Sequence, residues 1–204
     1  VELFLTLAES PPPLSPHETA SASDWVKRWS HLAKPAGTML DIACGSGRHM
    51  AWFQALGLRT MGIDRNAAAL EAAGSFGTTL QADIENDPWP LMHLGQPAKF
   101  DVVVVSNYLW RSLFPVIVQS VAPGGLLLYE TFTLGNESVG KPSRPDFLLQ
   151  PGELWRICQD LDVVAYENGF LNQPERFVQR IAAKSPRGSM ETNPLPPRYP
   201  LSLK

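Results

Sequence analysis

Cysteine is scarce: the 204 residues hold two, Cys44 and Cys158. They form no CxxC pair and are too few for a disulfide framework, so the chain reads as one built for a reducing compartment. Histidine is nearly as sparse, at four. His17, His31 and His93 stand at no metal-ligand spacing with one another or with cysteine, so no metal site is expected. No apolar run approaches the roughly 20 residues needed to cross a bilayer. No charged leader-like region precedes the apolar first residues, and the expectation is a cytoplasmic chain with no membrane partner. Positive charge is not in excess either. The 17 Lys and Arg against 20 Asp and Glu give a net charge of -3, and the basic residues are scattered singly, which argues against a nucleic-acid partner. There is no internal repeat.

What is present is a core-forming composition, 44% hydrophobic and 18% charged, at a length suited to one domain with extra end segments. Proline marks those ends. Pro11, Pro12, Pro13 and Pro16 make residues 1–22 a Pro-rich extension, and Pro186, Pro194, Pro196, Pro197 and Pro200 make residues 185–204 an extended or mobile tail. Between them, residues 23–184 form the domain. Ser23 reads as an N-cap for a helix with Trp25, Val26, Trp29 and Leu32 on one face, stopped by Lys34-Pro35.

From residue 38 the pattern alternates. Residues 38–43, 58–63, 78–82, 100–106 and 126–132 read as buried strands. Helices are expected over 47–56, over 66–73, and from the fourth strand through Val121. Strands alternating with helices imply an α/β fold with a doubly wound, parallel, Rossmann-like sheet. After a Gly- and Pro-rich stretch, residues 134–150, a helix is expected over 153–159. Strands over 162–167 and 176–183 follow, linked through Asn168-Gly169 as an antiparallel pair closing the sheet.

The chemistry concentrates at strand ends. Asp41-Ile-Ala43-Cys44-Gly45-Ser46-Gly47 runs from strand into a small-residue turn and then a helix, at the carboxyl edge where parallel sheets bind ligands. Gly45 and Gly47 let backbone approach a ligand, and the amides near Ser46 and Gly47 are expected to face outward. A dinucleotide site fits this outline. Met50, however, stands where the third glycine of GxGxxG belongs. Asp41 opposes a pyrophosphate but attracts a cationic group. Asp64 ends the second strand and can accept both ribose hydroxyls. Asp83, with Ile84 beside it, ends the third and can bond an adenine amino group while covering the ring, or can be a turn residue. His49 reads more readily as a packed helix residue than as a substrate contact. Cys44 reads as a space-filler without a catalytic partner.

These residues resemble the class I S-adenosylmethionine-dependent methyltransferases, whose first motif, acidic-x-Gly-x-Gly-x-Gly, matches residues 41–47 with Ala43 in place of the first glycine. The resemblance spans roughly residues 25–183. It implies a seven-stranded sheet in the order 3-2-1-4-5-7-6 with the last strand antiparallel, and S-adenosylmethionine as cofactor. It also implies that Arg65, Ser106 and Asn107 join Asp41, Ala43, Cys44, Gly45, Ser46, Gly47, Asp64, Asp83 and Ile84 around that cofactor. Gly47-Arg48, Arg144-Pro-Asp-Phe147 and Pro151-Gly-Glu-Leu154 are similar to the small tellurite-resistance type, which suggests a small acceptor.

The Asn/Asp-Pro-Pro-aromatic signature of amino-group methyltransferases is missing after the fourth strand, where Ser106-Asn107-Tyr108 stands. Tyr108, Arg111 and Arg144 are the substrate-side candidates, with Arg144, and Arg111 beside it, expected to face an anionic or electron-rich acceptor. Trp110 either lines the same mouth or packs on the core. Residues 134–150 are expected to form a lid, with Gly135 and Gly140 as hinges and Phe147 closing over the methyl group. The alternatives are a nicotinamide oxidoreductase, a noncatalytic cofactor-binding module, and an RNA or protein methyltransferase. A homodimer is also open.

Overall fold

The computed structural model describes residues 21–187 and 197–201. The Pro-rich residues 10–16, His17, Pro194 and Pro196 lie outside that range. Ser23 begins helix α1, Asp24–Trp29, its hydroxyl accepting the Val26 N–H at 3.1 Å. A 3-10 turn, Ser30–Leu32, carries the chain to Lys34-Pro35. Trp25 and Trp29 are fully buried and meet edge to face at 5.7 Å. By area each burial is worth about 4 to 6 kcal/mol before entropy is charged against it.

Strand β1, Thr38–Ile42, leads to α2, Arg48–Ala55. Then come β2, Arg59–Asp64, α3, Ala67–Ala73, and β3, Thr78–Gln81. After a two-residue hairpin, Met92–His93 with Gln96–Pro97, the chain enters β4, Phe100–Ser106, and α4, Phe114–Gln119. Strand β5, Val121–Phe132, helix α5, Glu153–Ile157, and strands β6, Asp162–Asn172, and β7, Glu175–Lys184, complete the order. The sheet runs β3-β2-β1-β4-β5-β7-β6. Neighbours from β3 to β5 pair in parallel, and β7 is antiparallel to both β5 and β6.

Period-two alternation splits the core. Val103, Val105, Leu127 and Tyr129 face α4 and α5, while Val102, Val104, Leu126 and Leu128 face α1 and α2. The valine run of β4 has both sets buried, as a central parallel strand requires. Connections from β1 leave toward β2, while β4 lies on its other side. The crevice between the carboxyl ends of β1 and β4 is therefore the switch point of the sheet.

Two boundaries differ from the sequence reading. Strand β5 begins at Val121, where helix was expected, because Val121 is buried and pairs with Phe100; an irregularity absorbs Pro123-Gly124-Gly125 before pairing resumes at Val102 and Leu126. Asn168-Gly169, expected as a link, lies inside the hairpin ladder opposite Gln179 and Val178. The exposed edge strand tolerates both residues. Beyond them Phe170 and Phe177 pair at 4.8 Å and move the turn to Gln173-Pro174. The described part of the tail is irregular and tied down, with Tyr199 donating to Asp162 at 3.0 Å and the Pro200 carbonyl 2.9 Å from a His31 ring nitrogen. Among the described residues, no helix is long and apolar enough to cross a membrane, and no three His, Cys, Asp or Glu side chains cluster to hold a metal.

Candidate active site

The turn after β1 needs left-handed backbone at three positions: Ala43 at φ 55°, Gly45 at φ 54° and Gly47 at φ 81°. For Ala43 this costs about 1 to 2 kcal/mol, which is why glycine is the easier residue there. Gly47 is constrained twice. A Cβ on it would lie 2.9 Å from the Ala73 methyl, so its smallness lets α2 pack on α3. The turn is held from within: Gly45 N–H donates to Asp64 Oδ2 at 2.8 Å, Gly47 N–H to the Cys44 carbonyl at 3.0 Å, and Cys44 N–H to the Ile63 carbonyl at 3.0 Å. The amides of Gly45 and Gly47 are thus already used. This corrects the expectation that the Gly47 amide stands free for a ligand; of the two amides expected to face outward, Ser46 is the one on exposed backbone.

Asp64 has a double role. Its second oxygen accepts the Asn66 N–H at 2.9 Å, so the carboxylate ties the turn to the start of α3. Each oxygen keeps a further lone pair for a ligand hydroxyl. At the end of β3, Asp83 accepts Glu85 N–H at 3.1 Å and Asn86 Nδ2 at 2.8 Å. The Asn86 bond holds its carboxyl below the usual range. It is a turn residue and a wall residue together.

Beside this turn lies a cavity of about 400 Å³, near the lower end for small-molecule sites. Ala43, Asp64, Arg65, Asp83, Ile84, Asn107 and Tyr108 of the sequence-predicted set line it. The sequence reading missed Glu85, Leu109 and Thr131 in the wall. Thr131 was available from alternation, because it shares a face with Tyr129; Glu85 had no signal beyond its place two residues after Asp83. Pro142 and Phe147 of the 134–150 stretch also line the cavity.

Other predicted residues sit elsewhere. Asp41 is buried beneath the turn, 3.6 Å from His49 Nδ1, and its Oδ2 has no hydrogen-bond partner. His49 Nε2 accepts the Ser23 N–H at 3.4 Å, which assigns the ring proton to Nδ1, facing Asp41. The Cys44 side chain turns away from the cavity, against Gly62 and Met50, and burial, with Asp41 and Asp64 adding, pushes its thiol up to about 12. Cys158 is likewise buried and raised to about 12. Gly45, Ser46 and Gly47 shape the turn without lining the cavity. The Ser106 hydroxyl accepts from Arg48 at 3.0 Å and donates to buried Glu130 at 3.1 Å, so it belongs to a polar chain under the wall. Trp110 packs on the core.

The arginines require the largest correction. Arg111 does not face an acceptor. Its Nε and Nη2 meet Glu153 at 2.7 and 3.1 Å, and Nη1 and Nη2 donate to the carbonyls of Asp146 and Leu148 at 2.8 Å each. Arg144 is exposed, paired with Asp146 at 2.7 Å, and stacks over the Phe147 ring at 5.3 Å. The ring, not the guanidinium, forms the wall.

Two orphaned polar atoms bear on what the site holds: Asp41 Oδ2 below the turn and the Tyr108 hydroxyl in the wall. Burial, with the charge and hydrogen-bonding reach of the neighbouring Glu85 carboxylate adding, drives the Tyr108 hydroxyl well above the ordinary tyrosine range, so it stays a protonated donor beside that carboxylate. With Asp64, Asp83 and Glu85 at one end, the donor set suits a nucleoside that carries positive charge and no phosphate. The fold is thus an α/β domain with this cavity, acidic at one end, at the switch point of its sheet.

Residues 39–125, just under half of the chain, match the family model of the methyltransferase domain. No curated protein sequence matches the chain. Among solved structures, TehB from Haemophilus influenzae is 19% identical with a TM-score of 0.63, covering 83% of this chain and 64% of its own. This chain therefore spans less than two thirds of that protein. A SAM-dependent methyltransferase from Methanosarcina mazei is 13% identical with a TM-score of 0.60, covering 82% of this chain and 99% of its own. A TehB-like SAM-dependent methyltransferase from Corynebacterium glutamicum is 16% identical with a TM-score of 0.54, covering 80% and 87%. Residues 39–125 thus match a methyltransferase domain, and the chain shares the fold of these SAM-dependent methyltransferase structures.

Proposed function

We propose that this chain transfers the methyl group of S-adenosylmethionine to a small-molecule acceptor. The observation that carries the reading is the cavity itself, which is acidic at its β2 and β3 end and is flanked by a glycine turn whose Gly45 and Gly47 amides are already bonded. A nicotinamide dinucleotide brings two phosphates to such a turn, where Asp41 and Asp64 repel them. S-adenosylmethionine brings an ammonium and a sulfonium. In this reading Asp64 holds the ribose hydroxyls, Asp83 and Ile84 border the adenine, and Asp41, buried beneath the turn, favours the ammonium through its charge alone. When bound, the cofactor supplies a methyl carbon already activated by its sulfonium.

The chain's own residues then have modest work to do. Asn107, Thr131 and Phe147 border the space beyond the β1 turn, where they orient the acceptor and exclude water. A cavity this small, once it holds a nucleoside, leaves room only for a small partner. The test is a transfer assay with labelled S-adenosylmethionine and a panel of small thiols, amines and oxyanions. Label transferred to at least one small acceptor is expected. Label transferred only to protein or RNA would overturn the acceptor class.

A further inference from the structure

We propose that the acceptor end of this cavity is built for an uncharged, apolar small molecule and discriminates against anions. The proposal rests on the cofactor reading above, since it takes the acidic β2 and β3 end as the nucleoside end. The other end is formed by the carboxyl ends of β4 and β5 and by the 134–150 loop. Its wall is Asn107, Leu109, Thr131, Phe132, Pro142 and Phe147, none of them charged.

Every nearby cation among the described residues is accounted for. Arg111 spends its donors on Glu153 and two loop carbonyls. Arg144 is exposed and paired with Asp146. Arg48 is bonded to the Ser106 hydroxyl under the wall. Lys141 is exposed, outside the lining. Arg65 does line the cavity, but at the nucleoside end, 3.9 Å from Glu85. An anionic acceptor entering between Phe132 and Phe147 loses its hydration and meets no guanidinium or ammonium in exchange. An uncharged one loses little hydration, and its apolar surface is covered by two aromatic rings; a sulfur atom gains further from lying against them.

The experiment uses a matched pair, ethanethiol and mercaptoacetate, which share a thiol and differ by a carboxylate. Each is titrated into the full chain saturated with S-adenosylhomocysteine, with binding read by ligand-observed NMR, and each is assayed for methyl transfer. Ethanethiol is expected to bind and to react better by about tenfold or more. Phe147→Arg, which places a cation in the wall, is expected to narrow that gap through tighter mercaptoacetate binding, measured with both proteins saturated with S-adenosylhomocysteine. Equal or preferred binding of mercaptoacetate, or no ethanethiol binding at millimolar concentration, would overturn the proposal while the cofactor reading stands. Failure of S-adenosylhomocysteine itself to bind would remove both.

Discussion

Asp64 carries more of the site than any other single side chain. It closes the glycine turn through Gly45, starts α3 through Asn66, and faces the cavity with lone pairs to spare. A single substitution therefore acts on fold and ligand together. Asp64→Ala is expected to weaken S-adenosylhomocysteine binding by roughly ten- to a hundredfold. It is also expected to lower stability by about 1 to 2 kcal/mol, because two backbone amides lose a charged acceptor at a partly solvated position. Calorimetry and thermal melting measure the two effects. Unchanged affinity in a folded variant would show that the ribose lies elsewhere. Asp41 differs in kind, since it is buried outside the cavity lining, with its unpaired Oδ2 toward His49, whose other ring nitrogen accepts the Ser23 N–H at the start of α1.

At the scale of elements, the decisive piece is the loop after β5. Its ends are stitched to the sheet: Leu149 N–H donates to the Phe132 carbonyl at 3.0 Å, Thr133 Oγ1 to the Leu149 carbonyl at 2.8 Å, and Asn136 Oδ1 accepts the Phe177 N–H at 3.1 Å. Arg111 and Glu153 pin the far side, and Glu153 also accepts the Gln150 N–H at 2.7 Å. Burial pushes the Glu153 carboxyl up, but the bonds from Arg111 and Gln150 outweigh it and hold the group below its ordinary range. A depressed carboxyl stabilises above its unfolded pKa, near 4.3 for glutamate, and that contribution is lost as pH falls through the lower folded value. Amide exchange over residues 145–150, taken relative to each amide's intrinsic rate at the same pH, is therefore expected to stay slow from neutral pH to about pH 5 and to quicken only as the pH falls below the ordinary glutamate range. Arg111→Ala should quicken it at neutral pH by about tenfold, raise the acceptor KM more than it lowers kcat, and leave S-adenosylhomocysteine affinity nearly unchanged. Exchange and KM both unaltered would mean that the pin does not hold this wall of the site.

This element also marks where sequence ceases to inform. The loop's place beside the cavity was legible, because it follows a strand at the carboxyl edge and is too long for a plain connection. The direction of its arginines was not. Both are long side chains whose aim is set by their partners: Arg111 turns to Asp146 and Glu153, 35 and 42 positions distant, and Arg144 turns outward to Asp146 and Phe147, two and three positions on. Strand ends behaved in the opposite way. Ala43, Asp64, Asp83, Ile84 and Asn107 reach the cavity because period-two strands and short turns fix where their backbone stops. Cys44 and Ser106 share those turns, yet their side chains point the other way. Position was readable, and orientation was readable only where the backbone dictates it.

Across the whole molecule, alternating strands and helices wind from β1 in one direction and resume at β4 in the other, which leaves one crevice at the sheet's carboxyl edge. Acidic side chains occupy one end of it, and aromatic and apolar ones the other. That polarity is the central claim, and it distinguishes a charged nucleoside without phosphate from a dinucleotide. Isothermal titration of the full chain with S-adenosylhomocysteine, run beside an identical titration with NAD, tests it most directly. Saturable one-to-one binding of S-adenosylhomocysteine and no comparable heat from NAD is the predicted result, and NAD binding equal to or tighter than that of S-adenosylhomocysteine would contradict it.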